Sequence, residues 1–144
     1  MTDEERRRKA MEQEKAHHIQ TYGRQPLVLE RGRGARVQDV DGREYIDALG
    51  GIAVNVLGHC HPAVSQAVSE QAHKLLHISN LYYSPVQSEL VATLCDLSGM
   101  DRAFLCNSGS EAMEGAIKLA RRQASVSGRG SDVVSVEGCF HGRT

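Results

Sequence analysis

The sequence lacks the features that would assign the chain to a membrane, a secretory route or a nucleic-acid partner. No stretch of its 144 residues approaches the roughly 20 consecutive apolar residues that a membrane-spanning helix needs. The first residues are charged and no apolar segment follows them, which argues against a secretory signal. The formal net charge of −1 gives no support for a nucleic-acid or membrane-surface partner. Together these absences predict a cytoplasmic protein.

The sequence also lacks the cysteine spacing of a structural zinc site or a disulfide framework. It has four cysteines and no C-x-x-C pair, so free thiols in a reducing compartment are the preferred interpretation. His59, Cys60 and His61 are spaced too tightly for the usual zinc pattern and predict a turn before a helix. His73 and His77 lie four positions apart on a predicted helix, a spacing that suits chelation, but surface or interface positions are favoured. The sequence therefore predicts no metal site.

Helix and strand patterns are readable in the first half of the chain. Residues 1–18 are polar and rich in helix-favouring residues, which predicts an exposed helix. Residues 27–30 predict a short strand, and residues 49–61 an apolar loop that contains glycine. Residues 62–77 carry apolar side chains at helical spacing, which predicts an amphipathic helix beginning at Pro62.

A β-hairpin is predicted between the first strand and the apolar loop. Residues 36–40 and 43–47 are its strands, and Asp41 and Gly42 form the turn between them. Asp-Gly is a strong signal for a type I′ turn, in which both central residues have positive φ.

The second half of the chain predicts alternating helices and strands. A helix over 85–98 is predicted to be capped by Ser84 and to end at Gly99. The short apolar runs 103–106 and 132–136 predict buried strands on either side of a helix over 111–125. Strand, helix and strand in this order form a βαβ unit, which gives a parallel sheet. The predicted fold class is therefore α/β, preceded by a hairpin-containing segment.

The turn at residues 107–110 is the most informative position for function. It is small, contains glycine and precedes a helix, so its backbone N–H groups and the helix dipole would face a bound anion. Ser108 and Ser110 add hydroxyl donors. The same residues are equally suited to cap the helix, with Glu111 in its first turn, so both interpretations stay open. The sequence contains no P-loop, no G-x-G-x-x-G and no G-x-S-x-G motif.

The segment at residues 140–144 follows the second predicted strand. In open α/β sheets, ligands bind beyond the carboxyl ends of the strands, where both this segment and the 107–110 turn are expected. Phe140 would either stack on a flat cofactor or pack in the core, and Arg143 would bind a carboxylate in bidentate fashion.

Four blocks, in order along the chain, resemble the class III pyridoxal-phosphate-dependent aminotransferases. They are residues 50–62, 77–80, 107–121 and 140–144. The resemblance implies the N-terminal part of a fold type I transferase of the aspartate-aminotransferase kind, with an incomplete parallel sheet after the hairpin segment. It divides the chain into an N-terminal segment, 1–80, and the start of the large cofactor-binding domain, 81–144.

The same resemblance implies a cofactor and its contacts. Gly109 and Ser110 would hold the phosphate of pyridoxal 5′-phosphate (PLP), and Phe140 would stack on its ring. Arg143 would bind the α-carboxylate of the amino-acid and 2-oxo-acid substrates. The resemblance also implies a homodimer, in which the segment with Ser79, Asn80 and Tyr83 reaches toward the partner subunit's site.

No catalytic residue is assigned in this chain, because the resemblance places the lysine that links to the cofactor beyond Thr144, and we expect a truncated sequence. The implied reaction moves an amino group from N-acetylornithine to 2-oxoglutarate in arginine biosynthesis. Ornithine, succinylornithine, acetyl-lysine and 4-aminobutyrate are alternative donors within the class. A non-catalytic phosphate-binding module is the alternative outside it.

Overall fold

The computed structural model describes residues 1–130 and 132–143, in two compact units formed by Met1–His77 and Ile78–Thr144. Ser131 and Thr144, the last residue of the predicted 140–144 segment, lie outside the described residues. The first unit contains, in chain order, α1 (Asp3–His17), β1 (Leu29–Arg33), β2 (Arg36–Asp39), β3 (Glu44–Ile46) and α2 (Pro62–Ala72). The second unit contains a 3₁₀ turn (Ser79–Leu81), α3 (Pro85–Ser98) and α4 (Gly109–Ser127). No helix in the described parts of the chain has the length and apolar character needed to cross a membrane.

Helix α1 confirms the predicted exposed N-terminal helix. A capping box starts it: the Thr2 hydroxyl accepts from the Glu5 amide at 3.2 Å, and the Glu5 carboxylate accepts from the Thr2 amide at 2.7 Å. None of the helix residues is buried. Arg6 and Arg7 form ion pairs with Glu30 and Asp41, which connect α1 to the strand region of its unit.

Three antiparallel strands in the order β1-β2-β3 form the described sheet. The predicted hairpin is confirmed as β2 and β3, with Val37 opposite Tyr45. The predicted strand at 27–30 lies instead at Leu29–Arg33, because it pairs with β2 through a tight Gly34-Ala35 turn. A glycine in the first central position is typical of a type II′ turn, so this second hairpin was detectable from the sequence.

The predicted type I′ turn at Asp41-Gly42 is wrong. Gly42 has φ +82°, but Asp41 is not among the residues with positive φ. The Gly42 amide donates to the carbonyl of Asp39, and the Asp39 amide donates to the carbonyl of Arg43, so residues 40–42 form a three-residue connection between the paired Asp39 and Arg43. A three-residue connection needs only one left-handed residue, which Gly42 supplies.

A small polar core lies on one face of β2. Val37 and Asp39 are 7% and 4% exposed, while Gln38 between them, on the opposite face, is only partly buried. The buried Asp39 carboxylate accepts from the Asp41 and Arg43 amides at 3.0 and 2.8 Å and from the Tyr45 hydroxyl at 2.8 Å. These hydrogen bonds let a carboxylate stay buried at the centre of the hairpin.

Helix α2 begins at Pro62 as predicted but ends at Ala72 rather than at residue 77. The Lys74 amide donates to the Gln71 carbonyl only three residues back, which tightens and ends the last turn. His73 therefore caps the helix and His77 lies outside it. The i,i+4 histidine pair expected from the sequence does not form on this helix.

The second unit confirms the predicted helices and their caps. The Ser84 hydroxyl accepts from the Gln87 amide at the start of α3, and Gly99 ends the helix in the left-handed conformation. Helix α4 is longer than predicted at both ends, and Glu114 and Lys118 form an i,i+4 ion pair of 3.7 Å on it.

The predicted strands at 103–106 and 132–136 do not form within the described residues. Neither segment pairs with another strand there, and a β-strand is stabilised by ladder hydrogen bonds to its neighbours. Phe104, Val134 and Val136 are mostly exposed. The 103–106 segment still packs on α4, since a Cβ added at Gly115 would lie 3.3 Å from the Phe104 ring.

Candidate anion-binding site at the start of helix α4

The turn before α4 is closed by a reciprocal cap. The Ser108 hydroxyl accepts from the Glu111 amide at 3.2 Å, and the Glu111 carboxylate accepts from the Asn107 amide at 2.6 Å. The S-x-x-E spacing that predicts such a cap is visible in the sequence, although the carboxylate takes the amide one residue earlier than in a standard capping box. Of the two interpretations left open above, capping therefore applies to Ser108.

Capping by Ser108 leaves a separate set of donors available. The amides of Gly109 and Ser110 are the first two of the helix and have no carbonyl one turn back within it. Within the described residues, no protein group accepts from these two amides or pairs with the Ser110 hydroxyl. Two amides and a hydroxyl at the positive end of a helix dipole suit a phosphate group. The residues present therefore fit the anionic end of a phosphorylated cofactor.

The segment at 140–143 lies against these donors. A Cβ added at Gly142 would lie 2.8 Å from the Ser110 Oγ and 3.2 Å from its Cβ. Gly142 also has φ +104°, a conformation that residues with a side chain rarely adopt. Glycine at 142 thus allows the backbone of this segment to reach Ser110. Sequence reasoning placed the two segments at one site but missed Gly142, whose only signal was its position between Phe140 and Arg143.

The other predicted site residues of this segment lie on the surface. The Phe140 ring is 81% exposed, so it is not packed in a core as one of the two interpretations held. Arg143 is exposed and makes an interaction of its own. Gly142 is the residue of this segment that lies close to Ser110. Phe140 and Arg143 are two positions before it and one position after it in the sequence.

Ser79, Asn80 and Tyr83 lie before the start of α3. Ser79 and Asn80 belong to the 3₁₀ turn, and the Tyr83 side chain is almost fully exposed. Asn80 and Tyr83 line an open groove of about 690 Å³ together with residues of α3 such as Gln87 and Cys95. Their proposed role at a partner's site stays a prediction.

The histidine-cysteine-histidine segment has a structural role. The His59 ring contacts the Asp47 carboxylate at 2.7 Å, and the His59 backbone exchanges two hydrogen bonds with Gly34. Among the described residues, no group of three or more His, Cys, Asp or Glu side chains is placed to hold a metal ion.

A family comparison decides how this site is interpreted. Residues 19–144 match the family described as Aminotransferase class-III. The chain belongs to the class III aminotransferases. PLP is the cofactor of this family, whose substrates are amino and oxo acids. The donor set of Gly109 and Ser110 therefore lies in a chain whose family uses a phosphorylated cofactor.

Individual class III aminotransferases match most of the chain. The acetylornithine aminotransferase of Methanocaldococcus jannaschii is 54% identical over 133 residues, which cover 91% of this chain and 33% of that protein. Among solved structures, the N-acetylornithine aminotransferase of Stenotrophomonas maltophilia is 50% identical with a TM-score of 0.77, over 84% of this chain and 34% of that one. The Toxoplasma gondii ornithine aminotransferase, a structure with partial PLP occupancy at its active site, gives a TM-score of 0.88 at 33% identity, over 96% and 33%.

These matches confirm the predicted fold class as part of a class III aminotransferase fold. The chain spans about a third of the length of the curated relatives it matches.

Proposed function

We propose that the protein carrying this chain transfers the amino group of N-acetylornithine to 2-oxoglutarate in arginine biosynthesis, with PLP as cofactor. The observation that carries this proposal is the set of available donors at Gly109 and Ser110 in a class III chain. The choice of donor is supported by relatives named acetylornithine aminotransferase at 49–56% identity.

The proposed roles follow from the chemistry of each side chain. The Gly109 and Ser110 amides and the Ser110 hydroxyl bind the cofactor phosphate, where the helix dipole favours negative charge. The Phe140 ring stacks on the pyridine ring, and the Arg143 guanidinium binds the substrate α-carboxylate through two parallel hydrogen bonds. PLP, when bound, supplies an electron sink for the electrons released at the substrate α-carbon. A cytoplasmic homodimer completes the proposal.

The test is a chimera in which residues 19–144 replace the matching segment of the M. jannaschii enzyme. We expect it to bind PLP and to transfer amino groups from N-acetylornithine to 2-oxoglutarate. A donor preference that moves to ornithine or 4-aminobutyrate after the exchange would contradict the proposed donor. Equal affinity of the chimera for PLP and inorganic phosphate, without amino transfer, would favour a phosphate-binding module instead.

The two serines of this turn allow the proposed phosphate contact of Ser110 to be tested with Ser108 as the control. In the chimera, Ser110→Ala should weaken PLP binding by about tenfold, since it removes a hydrogen bond to a charged group. Ser108→Ala should lower the stability of α4 by about 1 kcal/mol through loss of the cap, with little change in PLP affinity. Fluorescence titration with PLP and thermal unfolding measure the two effects. Equal losses of affinity in both variants would contradict the assignment of Ser110.

A further inference from the structure

The loop that joins β3 to α2 has both of its ends held at one place. The Asp47 amide donates to the Ala35 carbonyl at 2.8 Å, and Gly34 exchanges two backbone hydrogen bonds of 3.0 and 2.8 Å with His59. The Asp47 carboxylate and the His59 ring then meet at 2.7 Å. Both side chains are largely shielded, with 16% and 25% exposure. Residues 48–58 therefore form a closed loop on the turn between β1 and β2.

Close packing confirms that this closure is specific. A Cβ added at Gly32 would lie 2.7 Å from the Cβ and Cγ of His59. A Cβ added at Gly58 would lie 2.8 Å from the Gly34 Cα. The loop thus reaches the hairpin at two positions where only glycine fits.

The interior of the same loop is strained. Gly50, Gly51, Ile52 and Ala53 have φ between +56° and +65°, which makes Gly50–Ala53 a single left-handed helical turn. Left-handed backbone brings Cβ too close to the following carbonyl oxygen, and for a β-branched residue such as Ile52 it is an outlier. Strain of this kind persists only where the surroundings determine the conformation more strongly than local preference does.

Within the described residues, apolar packing does not hold this turn in place. The Ile52 side chain is 81% exposed, and Val54 and Val56 are also mostly exposed. The contacts that hold its start come from one side chain, because the Asp47 carboxylate accepts from the Leu49 and Gly50 amides at 3.0 and 2.9 Å. Its other oxygen meets His59, which ends the loop.

We propose that Asp47 and His59 form a clasp that holds residues 48–58 in one preformed conformation with a left-handed turn at Gly50–Ala53. One carboxylate fixes the first amides of the turn and, through His59, the point at which the chain returns to the hairpin. Asp47 and His59 are positioning residues in this role, and the proposal is independent of the proposed cofactor site. The hydrogen bond from His59 also lowers the pKa of Asp47, which keeps the carboxylate charged.

Amide hydrogen exchange on the full chain tests the clasp locally. The Val54 and Asn55 amides donate to the Gly50 carbonyl inside the turn, and the Asp39 amide reports on the hairpin. Asp47→Ala should speed exchange at Val54 and Asn55 by about tenfold or more, with Asp39 changed less than about twofold. Unchanged exchange at Val54 and Asn55, or an equal increase at Asp39, would overturn the proposal.

Two further substitutions separate the clasp from general destabilisation. His59→Ala should reproduce the effect of Asp47→Ala, whereas Asp96→Asn, at an exposed aspartate on α3, should change nothing in the loop. Asp47→Asn keeps an amide acceptor but loses the charge, so its effect should be intermediate.

Glycine substitutions should have opposite effects on amide exchange at a strained and at an unstrained position. Ala53→Gly should slow exchange in the turn and reduce the effect of Asp47→Ala, because glycine tolerates positive φ. Ala67→Gly, at an exposed position in the right-handed helix α2, should instead speed local exchange. Faster exchange after Ala53→Gly would show that the turn is not held under strain.

Discussion

Replacing Gly142 by alanine is expected to weaken PLP binding by the chimera about a hundredfold. The Cβ would lie 2.8 Å from the Ser110 Oγ, so either the serine or the 140–143 segment must move. Holding alanine at φ +104° adds backbone strain of about 1–3 kcal/mol. Both effects act on the proposed phosphate donors, and titration with PLP measures them together.

Gly138 provides the matched control for this substitution. It lies in the same segment with φ +75°, but nothing lies within 4 Å of a Cβ added there. Gly138→Ala therefore carries the backbone strain without the collision, and its effect on PLP affinity should be much smaller. Equal effects of the two substitutions would show that contact with Ser110 is not the cause.

A double-mutant cycle isolates the collision. Ser110→Gly removes the Oγ and Cβ that the new side chain would meet, so Gly142→Ala should cost about tenfold less affinity in that background. Titration with pyridoxal, which lacks the phosphate, should show little effect of either change. Additive effects on PLP binding would contradict direct contact between positions 110 and 142.

Replacing Asp39 by alanine is expected to abolish the hairpin structure of the first unit. The substitution would leave the Asp41 and Arg43 amides and the Tyr45 hydroxyl without their acceptor inside the hairpin. These hydrogen bonds are partly shielded from water and converge on one acceptor, so their joint loss is costly and exchange of the hairpin amides should rise about a hundredfold. Tyr45→Phe removes one of the three hydrogen bonds and should have a smaller effect. Glu44→Gln, at an exposed position on β3, is the control and should leave exchange unchanged.

The same carboxylate makes the hairpin sensitive to acid. Burial raises the pKa of Asp39, but the hydrogen bonds from Tyr45 and the two amides outweigh it, and the pKa falls below its ordinary value of 3.8. A lowered folded-state pKa means that Asp39 contributes full stability above that ordinary value. The contribution is lost as the pH falls through the folded-state pKa. Unfolding followed from pH 7 to pH 2 should show a smaller loss of stability in Asp39→Asn than in the parent chain, because Asp47, whose pKa is also lowered, titrates in both.

Local patterns in the sequence predicted the parts of the fold that depend on neighbouring residues. The caps at Ser84 and Gly99 and the pairing of residues 36–39 with 44–46 depend on contacts a few positions apart. The strands at 103–106 and 132–136 failed because pairing needs distant partners, which the described residues do not supply. Apolar composition indicates that a segment is suited to a sheet, but it does not provide the neighbouring strand.

The candidate site also combines features that local sequence predicts with features that it does not. The turn before α4 and its serines were predictable, because a cap and an anion site share a short pattern. Which serine caps the helix and which is left to bind an anion was not predictable, since it depends on which hydroxyl accepts from the Glu111 amide. The approach of Gly142 to Ser110 is a tertiary contact across more than thirty residues, and no spacing rule encodes it.

Helix α1 has no buried residue of its own and forms ion pairs with the hairpin region through Arg6 to Glu30 and Arg7 to Asp41. Attraction between exposed charges fades over the Debye length, about 8 Å at physiological ionic strength and about 3 Å in molar salt. The strength of the two ion pairs that α1 forms therefore depends on the ionic strength of the solution. Low salt should strengthen the association of α1 with its unit, and high salt should weaken it. The hairpins, in which Val37 and Asp39 are buried, should depend less on salt.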